Sequence, residues 1–262
     1  MTQPRILSAL VALPLVLILT WLGEPWFSVA MALAAVVGLW EFCTMASELP
    51  KGSLFLLGGA GSILLVTSPH LPQPQALPAI LVGVVLVSLL LSLSRFPHGQ
   101  AAWNWAWVVA GTLYLGLTLR HFVLLEEIAK GWVYFTILAT FATDTGAFLV
   151  GRAWGKRPLA RAISPHKTVE GTLGGLICGA AVSLILAYIL KLPLDWPSAL
   201  VLGVLASSFA QLGDLSESWL KRCMQVKDAG WLVPGHGGLL DRLDSLIFSG
   251  VVVYYYVAWI VM

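Results

Sequence analysis

Residues Gly213 to Ser245, GDLSESWLKRCMQVKDAGWLVPGHGGLLDRLDS, gather five acidic and four basic side chains between two uncharged runs. The whole chain of 262 residues has only 15 basic and 13 acidic side chains, so this window concentrates its charge. Lys221, Arg222, Lys227 and Arg242 are suited to phosphate oxygens. Asp214, Glu217, Asp228, Asp241 and Asp244 offer the hard oxygen donors that a dication accompanying such phosphates requires. The combination points to phosphoryl or nucleotidyl transfer.

Spacing sharpens that reading. Asp214, Ser218 and Lys221 recur at i, i+4 and i+7, which puts them on one face if a helix continues through Leu220. Asp241 and Asp244 stand three apart at the start of the last apolar run and also share a face. Two helix ends would then present carboxylates to a shared cation, with the Lys and Arg side chains around the phosphates it bridges. Gly235, Gly237 and Gly238 imply a backbone that bends or approaches another group closely. His236 is either a phosphate donor or general acid, or a structural residue of the turn.

Asp144 lies in TFATDTGAFLVG, inside an otherwise uncharged run. A carboxylate in hydrocarbon is costly and faces a polar interior, a partner or an ion. The plain alternative is a hydrogen bond to Thr140 one turn back. Gly146 and Gly151 leave room for close approach of a helix or a ligand. The loop that follows carries Arg152, Lys156, Arg157, Arg161 and Lys167, a pattern that attraction to anionic headgroups accounts for in part. Ser164-Pro165-His166-Lys167-Thr168-Val169-Glu170-Gly171 is more specific, because it sets hydroxyls, a cation and a carboxylate at the mouth of the next helix. Thr168 or Ser164 could serve equally as a helix cap. Gly151 to Lys156 is one residue short of a nucleotide P-loop, follows no strand and has Arg157 in place of Ser or Thr, so that motif is rejected.

The elements that must position these groups are membrane helices. Hydrophobic residues make up 58% of the chain and charged residues 11%, with mean hydropathy +0.87. A soluble domain carries roughly 25% charged residues. Uncharged runs from Ile6, Pro25, Gly52, Phe96, Gly171, Trp196 and Leu246, with Gly131 to Arg152 interrupted only by Asp144, predict about nine spans, the 43-residue run Gly52 to Ser94 being divided by Pro69, Pro72, Pro74 and Pro78. The expected fold is all-α and polytopic, one membrane domain over 1–262 with a scaffold in 1–130 and a catalytic portion in 131–262. Cys43, Cys178 and Cys223 are isolated and imply neither disulfides nor a zinc site. With the amino terminus inside and nine alternating spans, twelve basic residues fall on the cytoplasmic side and Arg120, Lys130 and Lys191 on the other. That asymmetry places both charged loops in the cytoplasm.

Ser218-x-Leu220-Lys221-Arg222, then Lys227-Asp228-x-Gly230, then Pro234-Gly235-His236-Gly237-Gly238-x-x-Asp241-Arg242-x-Asp244 closely resembles the signature of phosphatidate cytidylyltransferases, the CDP-diacylglycerol synthases. Ser164-Pro165-x-Lys167-Thr168-x-Glu170-Gly171 and Asp144-Thr145-Gly146-Ala147 resemble the family's upstream motifs, so the likeness is detailed over 144–245. His166 departs from the Lys expected there in many members.

The resemblance implies that CTP and phosphatidate give CDP-diacylglycerol and pyrophosphate, with Mg²⁺ and room for a second cation. It makes Asp214 and Asp241 the leading metal ligands, with Asp144 and Asp244 supporting. It assigns Lys167, Lys221, Arg222, Lys227 and Arg242 to the triphosphate and lipid phosphate, joined by Ser164, Thr168 and His236, and adds Asp228 to the catalytic set. It further implies a homodimer in the cytoplasmic (inner) membrane, with the bilayer as partner and no nucleic acid. Two alternatives stand beside it: a CTP-dependent lipid kinase, which would transfer the γ-phosphoryl group to an alcohol, and a transporter, which would spread its carboxylates near the midplane.

Overall fold

The computed structural model describes residues 3–46, 52–93, 100–230 and 237–262. Among the described residues there are nine α-helices: α1 Gln3–Leu22, α2 Trp26–Met45, α3 Ser53–Thr67, α4 Ala76–Leu93, α5 Ala101–Ile128, α6 Lys130–Trp154, α7 Val169–Ile189, α8 Trp196–Cys223 and α9 Leu240–Tyr256. Among the described residues eight helices are long and apolar enough to cross a membrane, and α1 contributes a shorter apolar stretch, Leu13–Leu22. The expected all-α polytopic fold is present, with nine as an approximate span count.

The long run after Gly52 divides as its prolines predict. A 3-10 turn, Ser68–His70, ends α3, and Pro69, Pro72 and Pro74 fall between the two helices. Pro78 does not belong to the break. It is the third residue of α4, where the missing N–H has no helical partner to lose.

Two helix ends differ from the sequence boundaries, which stop at charges. Helix α8 continues past Gly213 to Cys223, and α9 begins at Leu240 rather than Leu246. Charge does not end these helices because the charged side chains turn inward: Glu217 and Asp244 are both buried. The loop after α6 also holds a small hairpin, β1 Pro158–Ala160 antiparallel to β2 Ser164–Thr168. Ser164 and Lys167 therefore sit on a strand, not in a helix amino terminus.

The chain divides into two compact units, Met1–Leu124 with Asp228–Leu240, and Leu125–Lys227 with Asp241–Met262. In the first, α2, α3 and α5 bury Leu39, Leu65, Leu115 and Leu119, and Phe42 stacks on Trp107 with ring centroids 4.5 Å apart. Within this unit the wholly buried Glu41 accepts hydrogen bonds from the amides of Leu239 at 2.9 Å and Leu240 at 2.7 Å.

In the second unit, α7 packs against α6 and α8 through small residues, as close approach in a bilayer requires. A Cβ on Gly146 would overlap Cys178 of α7, so that glycine serves helix contact. Thr143 donates to Ser207 at 2.8 Å and Gln211 donates to the Thr172 carbonyl at 3.2 Å, joining α6, α7 and α8 by polar contacts inside the bundle. Asp195 caps α8, and hydrogen bonds from Ser198 hold its carboxyl below the usual carboxylate range.

Candidate active site

All the site geometry below lies in the second unit, where the ends of α8 and α9 meet the hairpin. Gly213 makes the meeting possible. A Cβ there would strike the main-chain oxygen of Asp244 and come within 3.0 Å of the Phe248 ring. The α8 backbone therefore touches α9 one residue before Asp214.

Asp214 is half-buried, and its carboxylate lies 2.8 Å from Lys167 Nζ. That ion pair ties β2 to α8. Ser218, one turn on, donates weakly to Asp214 at 3.5 Å. The predicted face continues through Lys221, whose Nζ bonds Asp241 Oδ1 on α9 and lies 3.4 Å from Glu217 Oε2. Glu217 and Asp244 face each other across the α8–α9 contact. Each is a nearly inaccessible carboxyl, and Lys221 is the cation both have in common.

Asp144 completes the group from α6. It stays exposed, lies in the field of Asp244, Asp214 and Lys167, and takes a hydrogen bond from the Ser245 side chain. Thr140 does not hold it. The Thr140 hydroxyl pairs instead with Ser249 at 2.8 Å, joining α6 to α9 deeper in the bundle.

Asp144, Lys167, Asp214, Lys221, Asp241 and Asp244 are thus brought together from α6, the hairpin, α8 and α9. Thr168 is committed elsewhere: it caps α7 by accepting from the Gly171 amide at 3.1 Å. Ser164 pairs across the hairpin with Ala160. Arg222 donates to the Ile163 carbonyl at 3.2 Å and the Val226 carbonyl at 3.4 Å, so it braces the hairpin tip and the turn after α8. Lys227 and Arg242 are exposed. Asp228 is exposed and belongs to the other unit, and His236 falls outside the described residues. Glu170 accepts from the amides of Lys156 and Arg157 at 3.0 and 3.1 Å, fastening the loop in front of the hairpin.

The donor set suits a hard cation in kind. Three carboxylates, Asp144, Asp214 and Asp244, share one electrostatic neighbourhood. Among the described residues no three such side chains form a ready cage. Magnesium keeps several waters and binds through one or two carboxylates plus substrate phosphates, so an open carboxylate group of this kind fits it.

The charged end of the unit can therefore hold polyanions against a row of carboxylates, with Lys167 and Lys221 as cations between them. A profile for the cytidylyltransferase family matches residues 3–260. The chain belongs to the cytidylyltransferase family. Within it, the chain is similar to the phosphatidate cytidylyltransferase of Staphylococcus haemolyticus strain JCSC1435, at 33% identity over 93% of this chain and 94% of that one. It is 31% identical to the Bacillus subtilis strain 168 phosphatidate cytidylyltransferase over 98% and 97% of the two chains. The Staphylococcus aureus strain COL protein of the same name is 32% identical over 93% and 94%.

Two polar contacts escaped sequence reasoning, one at the candidate site and one outside it. Ser245 reads as an ordinary polar residue, and only the α6–α9 packing gives it Asp144 as a partner. Glu41 ends an uncharged run and reads as a boundary charge. The apolar sequence resumes at Phe42 and Cys43, which is the signal that it lies inside a helix.

Proposed function

We propose that this chain is a phosphatidate cytidylyltransferase, converting CTP and phosphatidate to CDP-diacylglycerol and pyrophosphate. The observation that carries the reading is the convergence of Asp144, Asp214 and Asp244 with Lys167 and Lys221 at one end of a membrane-helix unit. It is what transfer between a nucleoside triphosphate and a lipid anion requires.

A phosphate oxygen of phosphatidate attacks the α-phosphorus of CTP. The new P–O bond forms as the bond to the β-phosphate breaks, and pyrophosphate departs with the electron pair. That oxygen is already anionic at neutral pH, so the step needs no Ser–His type activation. It needs two polyanions held in line and their charge offset. Lys167 and Lys221 bind phosphate oxygens in this scheme, and Arg222, Lys227 and Arg242 widen the cationic rim. Asp214 and Asp241 orient those lysines, since each aspartate holds one of them.

A magnesium ion would be held by Asp144, Asp214 and Asp244, with Asp241 available at the cost of its bond to Lys221, and would neutralise charge on the transferring and departing phosphates. The cytoplasmic face of the inner membrane is the expected location, supported by the twelve-to-three basic asymmetry. Homodimeric assembly rests on the family resemblance alone.

The direct test incubates purified protein with phosphatidate, CTP and magnesium and identifies the lipid product by mass spectrometry. A CMP-bearing lipid supports the proposal. No CMP-bearing lipid from phosphatidate, with phosphorylation of a polyprenol offered in its place, would point to the kinase alternative.

A further inference from the structure

Glu41 is a buried carboxylate outside the site just described, fully removed from solvent in the middle of an apolar helix end. Its two oxygens divide their labour: Oε1 accepts from the Leu239 amide at 2.9 Å and Oε2 from the Leu240 amide at 2.7 Å. Leu240 is the first residue of α9. A helix start leaves its first amides without intrahelical partners, and a carboxylate satisfies both their hydrogen bonds and the positive end of the helix dipole.

A second observation shows that the backbone is shaped around this group. A Cβ on Gly230 or on Gly238 would overlap the Glu41 carboxyl. Gly237 takes the left-handed conformation at φ 82°, but Gly238 does not. Gly238 is thus glycine for closeness and not for conformation. Gly230 and Gly238 both close on one carboxylate contributed by α2, 198 residues earlier in the chain than Leu239.

We propose that Glu41 is a positioning residue for catalysis: it fixes the start of α9 by its amides and so sets Asp241, the next residue along the chain, and Asp244 beyond it. It touches no substrate. This rests on the cytidylyltransferase reading only for what the positioned residues then do. Displacement of reacting groups by about 1 Å costs on the order of 100-fold in rate, so the expected effect falls on turnover and not on substrate affinity.

The test uses the purified full chain and two readouts, steady-state kinetics and hydrogen exchange at the Leu239 and Leu240 amides. In the unaltered protein both amides exchange slowly; rapid exchange there overturns the proposal. Glu41→Gln keeps the size but sets an amide donor against a backbone donor, which breaks one of the two bonds. Exchange at this pair should then quicken at least about tenfold, and kcat should drop by about 10- to 100-fold while both KM values stay within about threefold. Unchanged kcat, or lowered kcat with exchange still slow, overturns it. Should Glu41→Gln fail to fold, Gly238→Ala displaces the carboxyl without changing it, and normal kcat and protection in that variant overturn the proposal equally. Quickened exchange in a protein that makes no CMP-lipid would instead leave Glu41 as the clamp and remove the cytidylyltransferase reading.

Discussion

Lys167 and Asp214 meet at 2.8 Å, and this ion pair joins the hairpin to the helix that carries most of the site, beside the Arg222 bond to Ile163 at the hairpin tip. The Lys167 Nζ is itself shut off from water, while the rest of its side chain and the Asp214 carboxylate stay partly accessible. Removal of either partner leaves the other to be satisfied by the remaining charges. Lys167→Ala and Asp214→Asn should each lower kcat/KM by at least about 100-fold, and the double variant should fall well short of the product, with a coupling of about 1–3 kcal/mol. Independent, multiplicative losses in a double-mutant cycle would show that the contact plays no part in turnover.

Lys221 carries a heavier structural load, because it is shared by Asp241 and the almost inaccessible Glu217. Taking away one partner of a buried pair strands the other and typically costs about 3–5 kcal/mol. Lys221→Met should therefore lower thermal stability in detergent markedly, and adding Glu217→Gln should recover a large part of it without recovering activity. Stability unchanged in Lys221→Met would mean that Glu217 finds its compensation elsewhere.

Gly213 offers a test by size alone. Its Cβ would meet the Asp244 carbonyl, so Gly213→Ala must push α8 from α9 at the point where Asp214 and Asp244 approach. Turnover should drop by about 100-fold, as expected for a displacement of about 1 Å among reacting groups, with the nucleotide KM little altered. A fully active Gly213→Ala enzyme would show that the spacing of these helices is not critical.

Topology can be read from a native thiol. Cys223 is exposed at the charged end of α8, whereas Cys43 is buried. An impermeant maleimide should label Cys223 only in inverted vesicles that expose the cytoplasmic face, and Cys223→Ser should abolish that signal. Labelling from the outer face of the membrane would reverse the orientation inferred from the basic residues.

The spans were legible because their composition leaves little choice, and the proline-rich break after Ser68 was legible because proline cannot continue a helix. Asp144 was recognisable from the cost of a carboxylate in an apolar run. The helix ends were not, since charges that normally mark the membrane surface here point into the protein, as Glu217 and Asp244 do. Spacing put Asp214, Ser218 and Lys221 on one face but said nothing of Lys167 as the partner of Asp214, which depends on a hairpin within a loop. Thr168 was open between cap and ligand, and the structure makes it a cap. Glu41 lay beyond reach, because its partners are main-chain amides 198 and 199 residues away and main-chain groups leave no mark in side-chain patterns.

That separation carries a consequence for how the protein is made. Glu41 enters the membrane early in synthesis, yet the amides that satisfy it are not yet translated. At about 5–20 residues per second the ribosome needs roughly 10–40 seconds to reach Leu239. Through that interval the nascent chain carries an acid in α2 without its final partners, and the amino-terminal unit cannot close, because Asp228–Leu240 belongs to it. Translation of the last helix is what finishes the first half of the molecule, so a chain interrupted before residue 240 would leave both halves incomplete and expose Glu41 to whatever surveys unfinished membrane proteins.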